Sequence, residues 1–439
     1  MALLFTCLLG LSALITPVHA KVYEYTDNNK LSLLESPEAA VNYKIELIKK
    51  AKHHVHILTF FWDESGVPKR MAEALNEAHA RGVEVRILTT SVATLTTDLL
   101  GKGKRALNTK SKEGTFSFLA LSPKGSFSLT HNLHEKVFIV DGEKAIIGGR
   151  NISDSSLNGK DMEVEMNGPV VNQVQDHFKR MFDFVTNQRI DLKCYFEGEL
   201  DNSCAGKLKK DQFSDSDALF FPIQPTYVDG VKARILSHEA ILHMAEDKMN
   251  KKERLLQKDD ILDTVVKIDF KKLRMYNYFL VPTKRYQEFL ESNLAKGNSI
   301  EIITNSIETG KFSSNMGYIY SLPNSLNLVN RGLGIYQWQT GQRLTYVHEK
   351  VFVFDEDHVI IGSHNLVTGS TAVSNEISVE FFSRPLATRL LEIFDGEKND
   401  PKITNKVSAE QLEREVEENK KKIKFLQKDF IGSFLREIY

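Results

Sequence analysis

At 439 residues the chain is longer than one hydrophobic core usually serves, so two lobes or two domains are expected. Its 41% hydrophobic and 26% charged residues are an ordinary globular balance. A formal net charge of -1 and a pI near 6.9 argue against an obligate nucleic-acid binder, which carries a strong basic excess or a long basic stripe.

The first stretch, "MALLFTCLLGLSALITPVHA", has an apolar run from Ala2 to Ile15, a break at Pro17 and a small-residue end at Ala20. It reads as a signal peptide over residues 1–20 that exports the chain to a periplasmic or extracellular location, with membrane association open. No Lys or Arg precedes the run, so an uncleaved anchor is the other reading, although the run is short for a span of ~20 residues. Removal of the signal takes Cys7 with it. Cys194 and Cys204 then remain in one polar stretch, "CYFEGELDNSC", as a disulfide candidate or two separate thiols.

Residues 21–190 form the expected N-terminal lobe. "AAVNYKIELIKK" has helical periodicity, His54 to Phe61 reads as a strand, "VPKRMAEALNEAHA" as a second helix stopped at Gly82, and Val83 to Leu88 as a second strand. Helix alternating with buried strand predicts an α/β sandwich on a largely parallel sheet. A strand from His134, a returning strand "AIIG" and a helix in "VVNQVQDHFKRMFDFV" follow. Residues 191–272 read as a polar connecting segment whose charged helical stretch is a solvated face. Residues 273–400 repeat the first pattern, "YNYFLVP" strand, helix, Gly297 stop, "IEIITNS" strand, as an internal duplication. Residues 401–439 predict an amphipathic helix capped by Ser408, which either packs on the body or touches a membrane.

"HEKVFIVD" at 134–141 and "HEKVFVFD" at 348–355 put a histidine and a lysine on one face of a strand in each copy, since residues two apart share a face. "DGEKAIIGGRN" and "DEDHVIIGSHN" then predict a hairpin after each. With the turn spanning Asp141 to Lys144, Asn151 falls opposite His134 and Gly149 opposite Lys136; the same offsets bring Asn365 opposite His348 and Ser363 opposite Lys350. Repeated core strands alone explain the apolar letters but not the repeated ionisable pair, which is costly to bury without purpose.

This duplicated motif, followed each time by Gly-(Gly/Ser)-x-Asn, resembles the mark of the phospholipase D superfamily, and the layout is similar to the bacterial cardiolipin synthase C-like branch. The resemblance runs from about residue 35 to about 395 and implies two pseudo-symmetric α/β/α lobes with one active site at their junction. A phosphodiester needs its charge neutralised, a nucleophile, and a proton for the leaving alkoxide. Lys136, Lys350, Asn151 and Asn365 are the expected ligands of the phosphoryl oxygens, with Ser363 as a further donor and Gly149 as its counterpart. One histidine attacks as neutral imidazole to give a phosphohistidine and the other donates a proton, so the two are expected in opposite protonation states. The resemblance favours His134 as nucleophile and His348 as acid; the reverse stays open. Asp161 and Glu376 are the expected carboxylates that orient the imidazoles. Asp141 and Asp355 are expected to be structural and to hold the hairpins. The mechanism needs no metal and no cofactor.

His238 and His243 in "SHEAILH" are five apart, which does not suit a helical zinc pair and predicts a satisfied helical histidine; His54 and His56 are likewise read as structural. The expected partner is a phospholipid at a membrane surface, with an alcohol or lipid as acceptor and the protein a monomer. A metal-independent endonuclease is the competing reading, on the basic stretch "KGKRALNTKSK" at 102–112, and a non-enzymatic binding protein the third. The apolar stretch 114–129 suits either lipid contact or a packed lid. Only His131 precedes the first motif where a basic residue is wanted for a second anionic lipid, although Arg343 precedes the second, which favours hydrolysis.

Overall fold

The computed structural model describes residues 21–60, 62, 66–90, 116–121, 132–187, 225–240, 260–278, 280–310, 312–367, 370 and 374–426. The signal segment, Cys194, Cys204, the basic stretch 102–112, most of 114–129, His131, His243 and the end of the C-terminal helix lie outside these residues.

After strand β1 (Thr26–Leu34), Ser36 accepts a hydrogen bond from Ala39 N at 3.4 Å and Pro37 occupies the first turn, so the helix Pro37–Lys50 begins where its cap is. Then come β2 (His54–Thr59), the helix Gly66–Ala80, β3 (Glu84–Thr90) and β4 (Phe116–Leu121), with β2, β3 and β4 parallel. Gly82, at φ 96, supplies the left-handed residue that lets the second helix turn into β3. β5 (Asn132–Leu133), β6 (Val137–Val140), β7 (Lys144–Gly148), β8 (Gly159–Lys160) and β9 (Glu163–Asn167) precede the helix Val170–Asn187.

The second half repeats the plan. β10 (Val228–Glu239) is followed by the short helix Asp260–Val265, β11 (Lys272–Tyr276), the helix Lys284–Ala295, β12 (Ser299–Asn305), the helix Phe312–Asn330 and β13 (Gly334–Trp338). β14 (Tyr346–Val347), β15 (Val351–Phe354), β16 (His358–Gly362) and β17 (Ser374–Phe382) lead to the helix Arg384–Asn399 and β18 (Thr404–Lys406). Ser408 caps a helix Ala409–Glu418, accepting from Gln411 N at 3.1 Å, and Asn419 separates it from a shorter helix Lys420–Leu426. Leu412, Ile423 and Leu426 of this pair are buried in the core of the second half.

One continuous sheet joins the halves in the order β18-β13-β12-β11-β15-β16-β17-β10-β1-β9-β7-β6-β2-β3-β4. The order β9-β7-β6-β2-β3-β4 on one side mirrors β17-β16-β15-β11-β12-β13 on the other, which is the pseudo-symmetry of an α/β/α fold built twice. The expectation of a largely parallel sheet is corrected. Only β2-β3-β4 and β11-β12-β13 are parallel within the mirrored halves, because past each trio the chain returns through hairpins, and hairpins pair antiparallel. The polar connecting segment 191–272 also contributes the strand β10. It lies at the seam, antiparallel to both β1 and β17, and its Val231, Ala233 and Ile235 are buried.

Three apolar clusters fill the layers. One spans both halves, packing Ile139, Ile147 and Val164 with Ile361, Ile377 and Val379 beneath Phe178 and Phe394 of the helices Val170–Asn187 and Arg384–Asn399. The other two lie one per half, under the remaining helices. The shared cluster and the seam strands join the two motif-bearing strands in one sheet.

Each motif aspartate ties its hairpin to the neighbouring strand. Asp141 accepts from His53 N at 2.7 Å, His54 N at 3.0 Å and Lys52 N at 2.9 Å, and Asp355 from Lys271 N at 2.9 Å and Lys272 N at 2.8 Å. Both sit in the left-handed region, at φ 54 and 51, which aspartate tolerates. Asp141→Ala leaves those amides without their acceptor and is expected to cost about 1–3 kcal/mol, read as a lower urea midpoint at unchanged slope.

Candidate active site

The two His-x-Lys segments are held by exchange between the halves. β5 runs parallel to β17, and His134 N donates to Asn375 O at 3.0 Å; β14 runs parallel to β8, and His348 N donates to Lys160 O at 2.7 Å. The residues just before the histidines are fixed by side chains. Leu133 N donates to Thr90 Oγ1 at 2.8 Å, and Asn305 bonds Val347 N at 2.9 Å and Val347 O at 2.8 Å.

The carboxylates cross the same junction. His134 Nδ1 lies 2.9 and 3.0 Å from the two oxygens of Glu376, and His348 Nδ1 lies 2.8 Å from Asp161 Oδ2. Each half therefore orients the other half's imidazole, and each imidazole keeps Nε2 for chemistry. Glu376 also accepts from Ser370 Oγ at 2.6 Å and from Ser363 Oγ. Ser363, expected as a phosphate donor, thus spends its proton on Glu376. A Cβ on Gly149 would overlap the Asp161 carboxylate, so glycine there leaves the room that Asp161 occupies.

Lys136 and Lys350 are buried, and each ammonium donates to the carbonyl of its own motif histidine. Their flanks are aromatic: Lys136 lies 5.4 Å from the Phe60 ring centre and Lys350 5.7 Å from that of Tyr278. The same rings meet the histidines edge-on, at 5.1 Å for Phe60 and His134 and 5.4 Å for Tyr278 and His348. Sequence reasoning missed this pair. The signal for it is register, since Phe60 and Tyr278 each lie two residues beyond the partner of the first valine after the motif lysine.

Burial dominates the electrostatics. It lowers His134 to about 4 against the opposing pull of Glu376, and His348 to about 3, with Lys350 adding to the effect. Burial likewise lowers Lys136 to about 7 and Lys350 to about 8. Burial works against the Asp161 and Glu376 carboxylates, but their histidine and lysine neighbours outweigh it and hold both below the usual range. Burial and the two lysines thus draw both imidazoles toward the neutral form.

The hairpin register differs from expectation by one residue in both copies. Val140 pairs with Lys144 and Phe354 with His358, so three residues form each turn, and Gly362 N donates to Lys350 O at 3.1 Å. Asp141 and Asp355 are drawn off the ladder toward the amides they bind, which adds the extra residue. The glycines Gly148 and Gly362 face the lysines, and the asparagines lie past the ladder. Asn365 N donates to Ser370 Oγ at 3.2 Å, which links it through Glu376 to His134. The residues after the asparagines, Ile152 and Leu366, bridge to Trp62 and Leu280 beyond β2 and β11. Asn151 and Asn365 both have a buried Oδ1 with no hydrogen-bond partner, an open acceptor that few buried side chains keep.

His238 is corrected from a satisfied helical histidine. It lies in β10, opposite Glu376 on β17, and is buried with neither ring nitrogen hydrogen-bonded. His54 and His56 stack at 4.4 Å and bond Gln175 and Glu84.

The chain matches a family model described as cardiolipin synthase, PLD-like domain, over residues 45–182 and 268–428. Cardiolipin synthase C of Escherichia coli is 27% identical over 406 residues, with 81% of each chain covered. Cardiolipin synthase 1 of Staphylococcus epidermidis is 22% identical over 391 residues, covering 87% of this chain and 70% of that one. The crystal structure of phosphatidylserine synthase from Haemophilus influenzae has the same fold at a TM-score of 0.64 and 14% identity, covering 93% of this chain and 95% of that chain.

Proposed function

This chain belongs to the PLD-like family of cardiolipin synthases. We propose that it is an exported phosphodiesterase of phospholipids, transferring a phosphatidyl group through a phosphohistidine to water or to an alcohol. The observation that carries the reading is the pair of crossed dyads, His134 with Glu376 and His348 with Asp161, which presents two free Nε2 atoms beside two buried lysines.

His134 Nε2 attacks phosphorus while its Nδ1–H keeps donating to the ionised Glu376, and His348 gives the proton from Nε2 to the leaving alkoxide. The same His348 then takes a proton from the incoming water or alcohol, which attacks the phosphohistidine and frees His134. The anionic diester brings the negative charge that supports the His348 imidazolium, so binding itself creates the unequal pair. Lys136 and Lys350 with Asn151 and Asn365 surround the phosphoryl oxygens.

Hydrolysis is our primary reading. Arg343, the basic residue before the second motif, is an exposed partner of Glu38, which offsets its charge toward a second anionic lipid. Among the described residues no helix is long and apolar enough to cross a membrane; export rests on the N-terminal 20 residues of the sequence.

Purified protein on phosphatidylglycerol liposomes, with and without glycerol, is expected to release phosphatidic acid as its main product by mass spectrometry. Cardiolipin as the main product overturns hydrolysis, and inert lipid together with cleavage of plasmid DNA in chelating buffer overturns the lipid reading. For the pH dependence, kcat/KM is expected to fall as pH rises through about 7 to 8, where Lys136 and Lys350 lose the charge that holds the phosphate. A plateau extending to pH 10 counts against that role.

A further inference from the structure

The residue between histidine and lysine is a glutamate in both copies, and it faces away from the site. Glu135 is wholly buried and lies 2.5 Å from His177 Nε2. His177 Nδ1 lies 3.2 Å from Glu239, which Arg180 engages at 2.7 and 2.8 Å. Glu349 is buried and pairs with Lys160 Nζ at 3.0 Å; Lys160 also pairs with Glu397 at 3.0 Å. Tyr276 donates to Glu397 at 2.6 Å and lies under the Lys160 ammonium at 5.0 Å.

Behind each motif strand there is thus a carboxylate, a cation and a second carboxylate. The two triads are not copies of each other. The first takes its cation from the helix Val170–Asn187 and its outer carboxylate from β10; the second takes its cation from β8 of the opposite half and its outer carboxylate from the helix Arg384–Asn399. A duplicated sequence would give equivalent partners for nothing. The same arrangement assembled from non-equivalent residues points instead to a requirement at the glutamate. Stability does not supply one, because buried ion pairs replaced by apolar residues of similar size often cost nothing.

We propose that Glu135 and Glu349 are positioning residues, each fixing its His-x-Lys segment to a buried cation and setting a carboxylate behind the lysine that meets the phosphate. The proposal rests on the reading above that Lys136 and Lys350 bind the phosphoryl group. The groups around Lys136 are Glu376, Asp161 and Glu135, which favour its charge, and Lys350, which opposes it; around Lys350 they are Asp161, Glu376 and Glu349. Burial works against the His177 cation, yet Glu135 and Glu239 raise it to about 10, while burial pushes the Glu135 carboxyl up and that of Glu349 up to about 7.

The test is competitive acetylation of the full chain with acetic anhydride across the neutral to alkaline range, read lysine by lysine by mass spectrometry. Glu135→Gln is expected to lower the titration midpoint of Lys136 and to move Lys350 much less; Glu349→Gln is expected to do the reverse. Glu135→Asp recovers part of the shift. The alkaline limb of kcat/KM on phosphatidylglycerol vesicles moves down in step. Unshifted lysine midpoints in a folded Gln variant overturn the proposal, and so does an equal shift of both lysines. Should Glu135→Gln not fold, Glu349→Gln carries the same test on the other copy. Labelling needs no substrate. Wild-type protein inert on the vesicles with the expected labelling shifts therefore overturns the lipid reading and leaves the positioning role standing.

Discussion

His134→Ala and His348→Ala are each expected to lower phospholipid turnover by about a thousandfold or more, and the two losses do not multiply in the double variant. The imidazoles act on one phosphorus in sequence, so removing either stops the same cycle. Their roles separate with the leaving group. A p-nitrophenyl phosphodiester departs without a proton, so His348→Ala is expected to react with it once and to stop as a phosphohistidine, since no base remains to activate water. Digestion and mass spectrometry should then find the phosphoryl group on the peptide containing His134. His134→Ala gives no such adduct. A phosphopeptide carrying His348 in the His134→Ala protein would reverse the two roles, and full turnover in either variant would end the covalent mechanism. Both variants are expected to fold, because each imidazole borders the site and its removal opens space at a polar surface instead of inside an apolar cluster.

Much of this site is written in local pattern. Histidine and lysine two apart on a strand share a face whatever the strand pairs with, and the repeat at 348–355 declared a second copy. What the pattern could not carry was anything decided across the seam. Asp161 and Glu376 were legible as carboxylates near their motifs, but their exchange between halves depends on β5 joining β17 and β14 joining β8, pairings of two residues each with no periodicity to read. Ser370 is one more small polar residue in "NLVTGS" until Glu376 is placed beside it. The register failed for a local reason, because Asp141 and Asp355 bind the amides of the neighbouring strand and lengthen the turn. β10 was hidden by composition: its buried Val231, Ala233 and Ile235 alternate with polar residues inside a lysine-rich stretch, and only the strands on both sides make it central.

Glu376→Gln and Asp161→Asn are expected to lower turnover by about a hundredfold to ten-thousandfold while leaving the fold intact, since each substitution keeps the size and removes only the charge. An ionised carboxylate at Nδ1 can only accept, so it holds the Nδ1–H tautomer and leaves a lone pair on Nε2; an amide can donate to Nδ1 and place the proton on Nε2, which blocks attack by His134 and keeps His348 from taking the proton of the incoming water. The two variants should not be equal. Glu376 takes protons from Ser363 and Ser370 as well as from His134, so in Glu376→Gln the serines compete for the remaining amide oxygen and turn the NH2 group toward the imidazole. Asp161 has no serine hydroxyl in that position, because its neighbour is Gly149, and the asparagine can rotate its oxygen toward His348. The loss is therefore expected to be larger for Glu376→Gln, and Ser363→Ala in that background should recover part of it by releasing the amide. Both variants also remove a carboxylate that supports the charge of Lys136, so the alkaline limb of kcat/KM should move to lower pH in each. A loss confined to KM, with kcat unchanged, would mean that the carboxylates serve binding alone and that the imidazole tautomer is set elsewhere.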